Sequence, residues 1–277
     1  MPDKAEDRPI WDAEAYNRSR SQLLKLKSGL PRSGFESLAK EVIKRVAERE
    51  VANPIEIPSR DQVEHLCHSL LCDEEKAGAR FLEDAQLAGA SFESLHLNYL
   101  AEAARLLGEW WDDDLVSFAE VTLGTSRMYG IMRAVRPSPA VRHKSEVSTY
   151  TEEQPSACFA SVPGETHTLG LRMAAELFED DGWNIDLKIG STHNELVDEI
   201  RRSGRRLVGL SVAGLHSISA LSQLVLALRI EKPELRIFVG GNGIECDRES
   251  IALLGVDAMA SDIRSAKHFM RKLWASL

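Results

Sequence analysis

Beyond residue 156 the sequence alternates short apolar runs with stretches of helical periodicity, and few architectures accept that order. The runs ACFASV, WNIDLKI, RLVGLSVA and LRIFVGG are each followed by a helical pattern: LGLRMAAELFED, HNELVDEIRRSG, ISALSQLVLALRI and the shorter RESIALLG. A last small run, DAMAS, precedes the amphipathic DIRSAKHFMRKLWASL. Strands alternating with helices in this way predict an α/β domain over residues 157–277, its five parallel strands covered by helices on both faces. In such sheets ligands bind beyond the carboxyl ends of the strands, where the chain turns into helices.

Residues 60–137 carry a different pattern. DQVEHLCHSLLC, EEKAGARFLEDAQLAG, SFESLHLNYLAEAARLLGEWW and DDLVSFAEVTLGTSRMYGIMRAV are helical stretches joined by short Gly, Ser or Asp turns, and they predict a four-helix bundle. Residues 138–156, rich in Pro, Ser and charge and without sustained periodicity, read as a linker. Residues 1–59 form an amino-terminal extension with one predicted helix, from the N-cap Ser33 to Glu48, in which Leu38, Val42, Ile43 and Val46 keep helical spacing.

Charge narrows the function classes. Acidic residues number 43 and basic residues 34, a formal net charge of -9. Broad affinity for phosphate backbones needs a local excess of Lys and Arg, so direct DNA binding is not expected. No apolar run approaches the roughly 20 residues that span a bilayer, and the first residues lack the apolar core of a signal peptide, so a cytoplasmic protein without membrane contacts is expected. The scattered Cys67, Cys72, Cys158 and Cys246 suggest reduced thiols. His65, Cys67, His68 and Cys72 invite a metal reading, but no second ligand pair follows at zinc-finger spacing.

The first strand-to-helix turn is VPGETHTLGL, which places Glu165 and His167 at the ligand-binding edge of the predicted sheet. An exposed first-turn pair at a helix start would explain the two residues without function. Other residues gather at the same edge, however: Ser211, Gly214 and Ser217 after the third strand, Gly240, Gly241 and Gly243 after the fourth, and Ser261 with Asp262 after the fifth. Glycines there permit a large ligand to approach the backbone closely. The first turn has no G-x-G-x-x-G, there is no P-loop lysine, and no G-x-S-x-G elbow occurs, so nicotinamide binding, ATP binding and serine hydrolysis are not supported.

A helical bundle, a linker and a Rossmann-like domain with Glu165-x-His167-x-x-Gly170, then Ser211-x5-Ser217, then Gly240-Gly241 resembles the cobalamin-binding modules of methionine synthase, corrinoid methyltransferase proteins and light-sensing cobalamin regulators. The usual motif begins with Asp, and the Glu variant resembles the light-sensing regulators. The resemblance implies cobalamin as cofactor, in its hydroxo-, aquo- or adenosyl form, with His167 as the lower axial ligand of cobalt. It implies Glu165 as the acceptor that orients His167, Gly170 as the motif glycine, and Ser211, Ser217, Gly240 and Gly241 as a slot for the nucleotide tail. Gly214 and Ser261 are further candidates at the same edge. In the bundle, Gly108-Glu109-Trp110-Trp111 is similar to the family's cap signature, which implies Trp111 over the corrin with Trp110 packing it, although both tryptophans also suit a bundle core.

Two departures matter. Light-sensing repressors continue the cap with a Glu-His pair where this chain has Val121 and Thr122. They also carry a DNA-binding winged helix, for which residues 1–59 show no pattern. The arrangement is therefore closer to the cobalamin-binding antirepressors of photosynthesis genes in purple bacteria, which engage a repressor protein. The expectation is a non-enzymatic sensor that binds a transcription factor; the alternative is a corrinoid carrier serving methyltransferases.

Overall fold

The computed structural model describes residues 57–134 and 154–277. The predicted helix from Ser33 to Glu48 and most of the predicted linker lie outside the described residues. Two layers follow the sequence order. In the helical layer, α1 (Arg60–Leu71) and α2 (Ala77–Leu87) precede a short turn, α3 (Phe92–Ser94), which runs through a π-helical segment (Leu95–Leu100) into α4 (Ala101–Asp112); α5 (Phe118–Ala134) completes the layer.

Local chemistry sets these boundaries. Helix α1 starts at a reciprocal capping box, in which the Ser59 hydroxyl accepts from the Gln62 amide and the Gln62 side chain accepts from the Ser59 amide. The pattern beginning at Asp113 predicted a helix there, but α5 begins five residues later. Asp114 takes a left-handed φ of 58°. Ser117 and Glu120 then form a second reciprocal pair that nucleates α5: the Glu120 amide donates to the Ser117 hydroxyl, and Glu120 Oε2 accepts from the Ser117 amide.

The second layer is a five-stranded sheet of order β2-β1-β3-β4-β5, all parallel. Its strands are β1 (Ser156–Ser161), β2 (Asn184–Lys188), β3 (Leu207–Ser211), β4 (Arg236–Gly240) and β5 (Ala258–Ala260), connected by α6 (Leu169–Asp180), α7 (His193–Arg202), α8 (Ile218–Glu231), and the short α9 (Gly243–Cys246) and α10 (Arg248–Leu253). Helix α11 (Ile263–Ala275) ends the described chain. The α/β architecture thus matches the expectation, strand for strand. The short α9 has no counterpart among the predicted helices.

Strand alternation builds two cores. Cys158, Ala160, Val208, Leu210, Ile237 and Val239 point to one face, where they pack with Leu196 and Ile200 of α7 and Leu221, Leu224 and Leu228 of α8. Ala157, Phe159, Leu207 and Phe238 point to the other, against Phe178 of α6 and Met270 of α11. Burying each large aliphatic side chain contributes about 1.5–3 kcal/mol, which explains why both faces must be covered. A third core fills the bundle, with Leu66, Leu70, Leu100, Leu107, Met128 and Met132 fully or almost fully buried, and it includes Met173 of α6. Helix α6 therefore serves both layers.

At the carboxyl edge, Ser161, Ser211, Gly240 and Ala260 form one row across β1, β3, β4 and β5. Gly241, immediately beyond this row, adopts φ +115°, and a Cβ there would lie 2.2 Å from the Val212 carbonyl oxygen. The absence of a side chain lets the Val212 backbone pass closely at this edge. Gly241→Ala combines backbone strain with this clash and should lower stability by at least about 2 kcal/mol, seen as a reduced urea midpoint at unchanged m-value.

Candidate functional site

The strand order reverses between β1 and β3: the connection from β1 leads outward to β2, whereas β3 leads the other way to β4 and β5. Loops leaving the two strands therefore diverge and open a crevice, the place where open α/β sheets bind ligands. Glu165 and His167 leave β1, and Ala213, His216 and Ser217 leave β3. All five border that crevice.

Glu165 joins its two sides. The tight turn before it needs Gly164 at φ +85°. Its side chain has no exposed surface. One carboxylate oxygen accepts from the His167 amide at 2.8 Å and faces His167 Nδ1 at 3.0 Å. The other accepts from the Ser217 hydroxyl at 2.6 Å and the Ala213 amide at 3.0 Å, and lies 3.4 Å from His216 Nε2. Burial opposes the charge, but the Ser217 hydroxyl, the His167 and Ala213 amides and the His167 ring outweigh it and bring the pKa down to about 2.

An ionised carboxylate only accepts hydrogen bonds, so His167 Nδ1 carries the proton and donates. In the neutral ring Nε2 then carries the lone pair, on an imidazole whose side chain is 73% exposed. Such an oriented neutral imidazole is a suitable donor for a transition metal. The residues present fit an axial histidine ligand.

The other residues singled out in the sequence divide into groups. Ser217 is buried and its hydroxyl is committed to Glu165, so it anchors the carboxylate. Ser211 and Gly240 stand side by side in the edge row, while Gly241 and Gly243 admit the close passage of Val212. Gly214 sits in extended backbone in the β3 loop, where a Cβ would press on the His216 ring at 3.2 Å. Around Gly170, at the start of α6, a Cβ would meet nothing within 4 Å. Ser261 is half-buried just after β5.

Trp110 and Trp111 sit apart from this group in the helical layer. Trp110 packs against the bundle core with its ring 5.0 Å from that of His68. Trp111 is 49% exposed, with its ring 6.5 Å from that of Phe118, itself exposed. The candidate metal group His65, Cys67, His68 and Cys72 does not converge: His65 packs on Phe81, and the Cys67 thiol is buried, donates to the Ala103 carbonyl and is pushed up to about 12, chiefly by desolvation.

Two features had no signal in the sequence. His216 is one; a histidine inside a Ser-x5-Ser spacing is invisible until the loop curls back toward Glu165. The other is the seam between the layers. Tyr129 Oη of α5 meets Thr168 Oγ1 at 2.9 Å, next to His167, and Arg172 lies over the Tyr129 ring at 5.5 Å. His96, fully buried in the π-helical segment, faces Glu176 Oε2 of α6 at 3.0 Å through Nε2 and the Phe92 carbonyl at 2.9 Å through Nδ1. Lys267 of α11 pairs with Glu93.

Glu165 also sets a pH dependence. Its folded pKa, about 2, lies below the ordinary 4.5, so its contribution is complete above 4.5 and is lost as pH falls from 4.5 toward 2. Denaturant unfolding of the cofactor-free chain between pH 6 and 3 should show stability declining in that window, by up to about 3 kcal/mol at full protonation. Glu165→Gln should be less stable at pH 6 and should flatten that slope.

Comparison with known proteins agrees with this fold. Residues 155–266 match the family model of the B12 binding domain. A Rhodobacter capsulatus protein described as an uncharacterized 20.5 kDa protein in the bchF-crtJ intergenic region is 23% identical over 182 residues, which cover 65% of this chain and 92% of that protein. The monomethylamine corrinoid protein of Methanosarcina barkeri superposes with a TM-score of 0.62 at 16% identity, covering 76% of this chain and 96% of that one. That likeness shows a shared fold. In the described residues no helix is long and apolar enough to cross a membrane. The carboxy-terminal layer of this chain is thus similar to B12 binding domains over residues 155–266 and shares the fold of a corrinoid protein.

Proposed function

We propose that this protein is a cobalamin-dependent, light-responsive regulator that acts by binding a transcription factor or repressor, not DNA and not as an enzyme. The observation that carries the cofactor assignment is the Glu165–His167 pair, a buried anion that fixes the tautomer of an exposed imidazole at the switch point of the sheet. His167 would hold cobalt through Nε2, oriented by Glu165, which is itself held by Ser217 and the Ala213 amide. Bound cobalamin would supply a cobalt centre whose upper ligand is open to exchange or to release by light. Ser211, Gly240 and Gly241 would border its nucleotide tail, and Trp111, exposed beside Phe118, would take part in capping the corrin.

The regulatory part rests on the seam between the layers. Thr168 follows His167 directly and is hydrogen-bonded to Tyr129 of α5, while α6, which begins at Leu169, inserts Met173 into the bundle core and faces His96 through Glu176. A change at His167 therefore has a short covalent and packed route into the bundle, and the bundle surface is what a partner would sense. The relative in the bchF-crtJ intergenic region adds support for a role among photosynthesis genes. The overall acidity of the chain suits a protein partner.

The first test is absorption spectroscopy of the protein with hydroxocobalamin and, separately, adenosylcobalamin, in the dark and after white light. Wild-type protein should show a histidine-ligated spectrum that changes on illumination, and His167→Ala should lose that ligation and weaken binding about tenfold or more. A spectrum unchanged by His167→Ala removes the ligand assignment. A His167-dependent spectrum indifferent to light, together with methyl transfer in the presence of a methyltransferase, selects the corrinoid carrier. Tyr129→Phe should keep the ligation spectrum while reducing the effect of illumination on amide exchange in α5; equal light responses in the two proteins would exclude the route through Thr168.

A further inference from the structure

His216 has no place in the cobalamin reading, yet it stands at the centre of the site. It rises from the single turn Leu215–Ser217 between β3 and α8, with its side chain 57% exposed and Nε2 3.4 Å from Glu165 Oε2. On the other side of the carboxylate, His167 Nδ1 lies 3.0 Å from Oε1. The two rings are 6.2 Å apart between centroids, and one ligand atom from each of the three residues falls within 4.8 Å of the other two. Two imidazoles from different strand-end loops thus converge on one buried anion.

The geometry points to a zinc-class divalent metal site formed by Glu165, His167 and His216 in the cofactor-free protein. Two neutral imidazoles and one carboxylate, with a fourth position open to water, make up a common donor set for zinc. Tetrahedral zinc with bonds of about 2.0–2.1 Å sets its donors roughly 3.3–3.4 Å apart; here His167 Nδ1 lies 3.0 Å from Oε1, His216 Nε2 lies 3.4 Å from Oε2, and one donor atom from each residue falls within 4.8 Å of the others, a gap that small side-chain rotations close. The carboxylate is already fixed, because the His167 and Ala213 amides and the Ser217 hydroxyl hold it. Both imidazoles are exposed and turn to close the remaining gap, and the ion takes the place of the Nδ1 proton between His167 and Glu165.

This arrangement makes the ion and cobalamin competitors. A neutral imidazole has one lone pair and one N–H, so His167 cannot bind the ion through Nδ1 and cobalt through Nε2 without losing its last ring proton. The competition rests on the cobalamin reading; the ion site does not. In the competitive state, metal supply would set how much of the protein is free to take up its cofactor.

The test is calorimetric titration of zinc chloride into the cofactor-free full-length chain. One zinc ion per chain is expected, with affinity reduced at least about tenfold in His216→Ala and unchanged in Cys72→Ser, which removes an exposed thiol elsewhere. His216→Ala should still bind cobalamin with the histidine-ligated spectrum, showing that the fold survives. Absence of zinc binding, or binding of equal strength in His216→Ala, overturns the site. Wild-type protein preloaded with hydroxocobalamin should take up no zinc there; undiminished uptake overturns the competition and leaves the site standing. If cobalamin binds no form of the protein, the zinc titration still reads the site by itself.

Discussion

The Glu165 carboxylate has no exposed surface, and it lies where the strand order of the sheet reverses. An isolated buried carboxylate would be expensive to ionise, so its charge depends on donors brought from both sides of the crevice. The amide of His167 comes from the β1 loop, and the amide of Ala213 and the hydroxyl of Ser217 come from the β3 loop. Each loop takes its shape in part from serving this anion, and the loops in turn decide where the two imidazoles stand. The ligand chemistry of the site follows from a single charge that the fold keeps ionised.

Helix α6 carries the consequences away from that point. Its amino-terminal end follows His167, its inner face fills the sheet core through Phe178, and its outer side meets the bundle through Leu169, Met173 and Glu176. Few helices in a two-layer protein touch the site, the sheet and the second layer together. The seam is also mixed in character: apolar packing of Met173 gives adhesion, whereas the Tyr129–Thr168 and His96–Glu176 contacts are directional and fix the register between layers. The π-helical segment that holds His96 widens the helix locally, the kind of departure from regular geometry that accompanies functional sites.

Much of this was legible in the sequence. The strand and helix runs after residue 156 agree with the observed elements because continuous apolar runs mark strands covered on both faces and period-3.6 patterns mark the buried side of helices. Helix α6 spans the predicted LGLRMAAELFED residue for residue. The pairing of Glu165 with His167 was foreseen, because two residues at a strand-to-helix turn are neighbours in any fold that keeps the turn. Where a side-chain cap competes with periodicity, as at Ser117 and Glu120, the pattern overshot the start of α5.

What the chain by itself determined, then, is the order of elements, the parallel sheet and the histidine at its edge, since these follow from local periodicity and from residues close in sequence. Only the tertiary structure decided that Ser217 supports the carboxylate, that Gly241 yields space to the Val212 backbone, that His216 joins His167, and that His96 locks onto Glu176. Those four contacts join residues about 29 to 80 positions apart, or separate loops, and their partners are chosen by strand order and helix packing. No spacing along the chain encodes such distances, because burial patterns say which side of an element is covered but not by what.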